Sequence, residues 1–110
     1  MDTWVTQIRR GVVELGVLAT LQGGAAYGYE IVRRLAEAPA MEVSESTVYP
    51  VLARLARDGA LGVRTEPSPQ GPPRRYYRLT DAGRRRLDSM TQHWWTIRDS
   101  VERLISGDQR

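Results

Sequence analysis

Ser44-Glu45-Ser46-Thr47-Val48-Tyr49-Pro50-Val51-Leu52-Ala53-Arg54-Leu55-Ala56-Arg57-Asp58-Gly59 carries two signals at once. Val48, Val51, Leu52 and Leu55 stand at i, i+3, i+4 and i+7, the spacing of one buried helical face. Ser44 suits the cap that opens a helix. Gly59, after Asp58, suits the left-handed turn that closes one. The spacing predicts a helix over about Glu45–Asp58. Turning by about 100° per residue puts Ser46, Tyr49, Pro50, Ala53 and Arg57 on the opposite face, with Thr47 and Arg54 on one shoulder. That outer face is short and hydrogen-bonding near the N-terminus. A helix that only packs has no need of such a start.

The flanking segments give this helix its context. Upstream, Ile8, Val12, Leu15 and Leu18 recur at helical spacing over roughly Thr6–Leu21, and Gln22-Gly23-Gly24 ends the run. A second helix is expected over about Tyr27–Ala38, with Tyr27, Ile31 and Leu35 inward and Pro39 as its stop. Met41-Glu42-Val43 reads as a short extended link. Downstream, Leu61 and Val63 alternate with Gly62 and Arg64, as in a half-buried strand. Pro67-Ser68-Pro69-Gln70-Gly71-Pro72-Pro73 is a strong breaker and reads as a loop. A second strand follows over Arg74–Leu79, with Tyr77 and Leu79 on one face and Arg75, Tyr76 and Arg78 disposed around the other and the strand start. Thr80 then caps a last helix of about Asp81–Ile105. Three helices and a hairpin in this order make a winged helix-turn-helix. The expected class is mainly α with a small β-hairpin, residues 1–80 forming a winged-helix DNA-binding unit and 81–110 a C-terminal dimerisation helix.

The last helix has its own pattern. Leu87, Met90, Trp94, Ile97, Val101 and Leu104 are spaced 3, 4, 3, 4, 3, a coiled-coil seam. Twenty-five residues of helix reach ~37 Å, whereas a globule of this length is only about 34 Å across. Such a helix needs a partner for its apolar edge, and a second copy of the chain is the favoured one.

Composition removes several classes of function. The chain has 110 residues, no Cys and one His, which leaves no disulfide framework, no thiolate chemistry and no His cage for a metal. No Lys is present, so there is no phosphate-cradling Gly loop ending in Lys. No nucleophile has a plausible base, so no catalytic site and no cofactor are expected. No apolar run approaches the ~20 residues of a membrane span, and the chain reads as cytoplasmic. The formal net charge is +3, unevenly spread: residues 61–86 hold 7 Arg against 2 acids, while 1–60 hold 6 against 7. A basic stripe on a near-neutral body suggests a polyanion partner.

The expected DNA surface follows from these pieces. Recognition helices offer N-terminal side chains to base edges in the major groove. Ser46, Thr47, Tyr49 and Pro50 occupy that end, and Arg54 is within reach of a guanine or a phosphate. Tyr27 and Ser44, at the starts of the second and third helices, are counted with them. In the wing, Arg74, Arg75 and Arg78 suit phosphates or a minor groove.

Ser46–Leu61 (STVYPVLARLARDGAL), Arg74–Leu87 (RRYYRLTDAGRRRL) and Tyr27–Leu35 (YGYEIVRRL) together resemble the PadR family of bacterial transcriptional regulators. The resemblance covers about residues 8–106, and the short C-terminal part is similar to the smaller subfamily with one dimerising helix. It implies a winged-helix homodimer that binds double-stranded operator DNA, usually as a repressor, and a Tyr-Pro pair at Tyr49-Pro50 is common in the family. Some members of the short subfamily hold flat aromatic compounds between their subunits, stacked on one Trp of the last helix. Trp94 matches that position, and Ile8, Val12 and Met90 would line the walls. Trp95, 100° away, is expected to pack on its own domain. Two other functions stay open: a module that senses or sequesters a planar aromatic molecule, and a winged-helix adaptor between proteins.

Overall fold

The computed structural model describes residues 2–107, with the elements α1 (Asp2–Thr20), β1 (Ala26–Tyr27), α2 (Gly28–Ala36), a 3₁₀ turn (Pro39–Met41), α3 (Glu45–Arg57), β2 (Leu61–Ser68), β3 (Gly71–Leu79) and α4 (Asp81–Ser106). The class is the expected one, mainly helical with a small antiparallel sheet. The apolar stripes converge as their periods require: Leu18 from α1 and Leu21 just after it, Ile31 from α2, and Val48, Leu52 and Leu55 from α3 are fully buried. Leu61, Tyr77 and Leu79 close the core from the sheet and Leu87 from α4. At about 25 cal/mol per Å² of apolar surface, each such side chain contributes roughly 1.5–3 kcal/mol.

Three local expectations are corrected. Tyr27 does not begin the inner stripe of α2. It is the extended residue before the helix, its backbone N–H donates to Glu30 Oε1 at 3.0 Å, and it belongs to β1. That strand pairs Ala26 with Tyr77 and Tyr27 with Tyr76, making a three-stranded sheet of order β1-β3-β2. Two residues are too few to carry a period, so β1 had no signature. Nor is Pro67–Pro73 a loop. The strands run through it to the pair Ser68–Gly71, and only Pro69 and Gln70 turn. Proline is tolerated where its missing N–H faces away from the ladder or at a bulge. Here Pro67 lies opposite both Pro72 and Pro73, within the register shift between Glu66 and Ser68. Gly71, at φ 147°, takes the sharp bend. Met41, expected in the extended link, instead ends a 3₁₀ turn, Pro39–Met41.

The start of α4 is bolted to the end of α3. The Thr80 hydroxyl accepts from the Gly83 N–H at 3.0 Å and donates to the Gly59 and Ala60 carbonyls at 2.6 and 3.0 Å. Gly83 rides so close over the Ala60 carbonyl that an added Cβ would overlap it. Helix propensity alone predicts that Gly83→Ala stabilises by about 1 kcal/mol. The contact predicts the opposite sign, a loss of about 1–3 kcal/mol from overpacking against backbone. Urea unfolding of the variant reads the sign directly, and a raised midpoint would refute the contact.

Beyond this joint α4 leaves the body of the protein. Of its residues only Gly83 and Leu87 are buried, and the molecule is drawn out to 57 × 32 × 21 Å. No helix among the described residues is long and apolar enough to cross a membrane.

Candidate nucleic-acid interface

With Val48, Val51, Leu52 and Leu55 buried, α3 turns Glu45, Ser46, Tyr49, Pro50, Ala53 and Arg57 to solvent, with Thr47 half-buried beside them. Ser44 Oγ lies 2.8 Å from Ser46 Oγ and 3.3 Å from Thr47 Oγ1, so three hydroxyls cluster at the helix start. Pro50 has no N–H for the Ser46 carbonyl one turn before it, which leaves an acceptor facing outward. Tyr49 sits on the first turn of α2. Its ring lies against Gly28, where any Cβ would collide with it. Burial, with Glu45 and then Tyr77 adding, raises the Tyr49 phenol above its ordinary value, so it remains an O–H donor.

A groove of about 770 Å³ separates α3 from the wing. Tyr27, Tyr29, Tyr49 and Ala53 form one side, Pro72, Pro73, Arg74 and Arg75 the other, and Tyr77 also lines it. Tyr29, Ala53, Pro72 and Pro73 were not anticipated. An exposed aromatic in the first turn of α2 was the available signal for Tyr29. The prolines were hidden by being read as loop.

The wing arginines are sorted between two faces. Arg75 shares the face of Tyr77, its guanidinium 5.9 Å from that ring, and it projects into the groove. This corrects the expectation that grouped it with Tyr76 and Arg78. On the other face Tyr27 meets Tyr76 edge-on at 5.7 Å, with Arg74 4.5 Å from the Tyr27 ring and Arg64 5.5 Å from the Tyr76 ring. Arg64 also pairs with Glu66 at 2.7 Å. Arg78 lies across Gly62, its cross-strand neighbour, on this outer face. Cation–π contacts of this kind hold guanidinium groups in place before a ligand arrives.

Arg54 lies on the expected shoulder of α3 and is paired within the chain. Its Nη1 donates to Glu14 Oε1 of α1 at 2.6 Å, and it does not line the groove. Being on a shoulder of α3, it is close enough to α1 for a carboxylate there to capture it.

The residues expected at a dimer seam divide. Leu87 belongs to the core of its own chain and Met90 packs partly against it. Trp94 is half-buried, whereas Ile97, Val101 and Leu104 are exposed. Trp95, expected to pack on its own domain, is the more exposed of the two tryptophans and carries Arg98 at 4.6 Å from its ring. Ile8 is exposed and Val12 half-buried on α1, and exposed Trp4 and Ile105 extend the apolar surface beyond the residues foreseen. Among the described residues no cluster of His, Asp or Glu could hold a metal ion.

Comparison with known proteins gives a consistent result. Residues 17–89 match the family model described as the transcriptional regulator PadR-like family. The structure is similar to a PadR family transcriptional regulator from Eggerthella lenta DSM 2243, with 34% identity, 94% of this chain and 90% of that one covered, and a TM-score of 0.85. A PadR-like transcriptional regulator from Bacillus cereus strain ATCC 14579 is 31% identical over 93% of this chain and 99% of its own, TM-score 0.80. Bacillus subtilis PadR, solved in complex with operator DNA, is 27% identical over 73% of this chain and 46% of its own, TM-score 0.67.

Proposed function

The chain belongs to the PadR-like family of transcriptional regulators, which are DNA-binding proteins, and from that premise we propose that it works as a homodimeric repressor on a pseudo-palindromic operator, released by a planar aromatic effector. The observation that carries the DNA half is the groove: one wall is Tyr49 and Ala53 of α3 with Tyr27, Gly28 and Tyr29 at the start of α2, the other is Pro72, Pro73, Arg74 and Arg75 of the wing, and the exposed hydroxyls of Ser44 and Ser46 stand at the same end of α3 as Tyr49. In this reading Ser44, Ser46, Thr47 and Tyr49 enter the major groove with the start of α3. Pro50 keeps the Ser46 carbonyl open beside them. Tyr27 and Arg74 meet the phosphates of the strand lying between helix and wing, and Arg75 follows the same strand. Arg78, flat on the outer face, contributes least. Arg54 is left out of this surface because Glu14 holds it.

Two-fold symmetry follows from α4. Ile97, Val101 and Leu104 are exposed along the 3-4 seam of α4, and Trp4 and Ile8 of α1 are exposed as well; a second copy covers this apolar seam isologously. The adaptor reading lacks support of this kind, because it does not call for arginines facing tyrosines across a groove. Selecting from random duplexes with the full chain tests the proposal. The expected product is a pseudo-palindrome with half-sites about one helical turn, ~34 Å, or a multiple apart. Enrichment of no shared sequence would defeat it.

The effector half rests on Trp94 and Met90, half-buried where α4 leaves the body, with Ile8 and Val12 near on α1. Paired across a two-fold axis, such rings would stack on a flat cation. Release of DNA then requires unequal binding to two dimer conformations. Titration with a planar cationic dye is expected to quench tryptophan fluorescence saturably, and Trp94→Ala to abolish the effect. Loss in Trp95→Ala alone would move the site to the more exposed ring. An unquenched wild type would remove the effector.

A further inference from the structure

Glu14 stands near the middle of α1 with its side chain only 17% exposed, and it is shared by two arginines from different elements. Its Oε1 accepts from Arg54 Nη1 of α3 at 2.6 Å, and its Oε2 forms an ion pair with Arg86 Nε of α4 at 3.2 Å. Arg86 also reaches the Asp58 carboxylate, at the C-terminal end of α3, at 3.4 Å. One chain of charges therefore joins α1, the last turn and C-cap of α3, and the first turns of α4. Arg86 is next in sequence to Leu87, where α4 is anchored in the core.

We propose that Glu14 is a positioning residue for DNA reading, a clamp that sets the angle of α3 against α4 and so the separation of the two recognition helices in the dimer. This rests on the reading given under Proposed function. The argument is one of direction. Val48, Leu52 and Leu55 set the crossing of α3 by packing, which by itself leaves a scatter of about 15–20° in the angle. Charge-assisted hydrogen bonds are directional, and partial burial shields them from salt. Ser46 lies ~12 Å along the helix from Arg54, so a tilt of about 10° at the clamp displaces the reading end by roughly 2 Å. That is enough to break hydrogen bonds to base edges. Since α4 also carries the seam, the same tilt changes the span between half-sites.

The test uses the full chain, the selected operator, the same operator with its half-sites moved by one base pair either way, and an unrelated duplex, each over a range of salt. Wild type is expected to prefer the selected spacing. Glu14→Gln is expected to lose about three- to thirtyfold on the selected operator and to bind the shifted and unrelated duplexes like wild type, with an unchanged salt slope. Arg86→Gln leaves the Glu14–Arg54 pair intact and is expected to relax the spacing preference in the same way, so it decides the matter if Glu14→Gln does not fold. Equal weakening on every duplex with a lowered melting temperature would make Glu14 merely structural and overturn the proposal. So would wild-type spacing preference in both variants, or a salt slope steeper by about one unit, which would make Arg54 a phosphate contact set free. A wild type that binds no duplex would instead refute the functional reading itself.

Discussion

Replacing Val101 and Leu104 together by Glu is expected to produce a folded monomer whose operator affinity falls by about two to four orders of magnitude. Both residues are surface residues in the single chain, 46% and 69% exposed, and neither belongs to its core. The domain therefore has no reason to unfold. In a dimer paired along this face the two substitutions bring four carboxylates into an apolar contact, where an unpaired charge is strongly disfavoured. Once the copies separate, each half-site is bound alone. The loss is that of the effective concentration one bound half provides for the other, which is worth ~10²–10⁴. Sedimentation at micromolar concentration and anisotropy on the operator measure the two consequences separately. A double variant that stays dimeric with full affinity would place the contact between copies elsewhere.

The second large effect is expected in the wing. Arg74→Ala with Arg75→Ala removes the two arginines that flank the groove. If each meets one phosphate, the slope of log affinity against log salt falls by about 0.9 per contact, so by ~1.8 for the pair. The weakening is expected on all duplexes alike, since phosphates carry no sequence information. Substituting Ser46 or Thr47 by Ala should do the reverse, leaving the slope alone and costing about 1–3 kcal/mol only on the selected sequence, if they touch base edges. Arg78→Ala serves as an internal control. Its guanidinium is laid over Gly62 on the outer face, and the slope should change least there. A slope unmoved by the Arg74/Arg75 pair would take the phosphate path out of the groove.

Periodicity made much of the fold legible. Val48, Val51, Leu52 and Leu55 form the buried stripe of α3, and Thr80 caps α4 where the pattern requires. The strands were read less well. Alternation marks only Leu61–Arg64 and Arg74–Leu79, and prolines at 67, 72 and 73 read as loop although a bulge accommodates them in paired strands. A face error followed, and Arg75 was separated from Tyr77 although the two are alternate residues of one strand. Alternation from Tyr77 alone would have placed it correctly.

What the sequence determines by itself is whatever repeats along the chain: the helical stripes, the caps, the basic stretch and the 3-4 seam. Each is a local regularity of an element, and 3.6 or 2 residues per turn is a property of backbone geometry. Partnership between distant residues is different. That Glu14 pairs with Arg54, that Tyr49 rests on Gly28, and that Trp95 is more exposed than Trp94 depend on how elements cross. Those crossings come from the packing of whole faces into one core, where a shift of a few ångströms exchanges one neighbour for another. No spacing within a single element records it, so only the tertiary structure decided which of the polar residues face the groove and which hold the helices together.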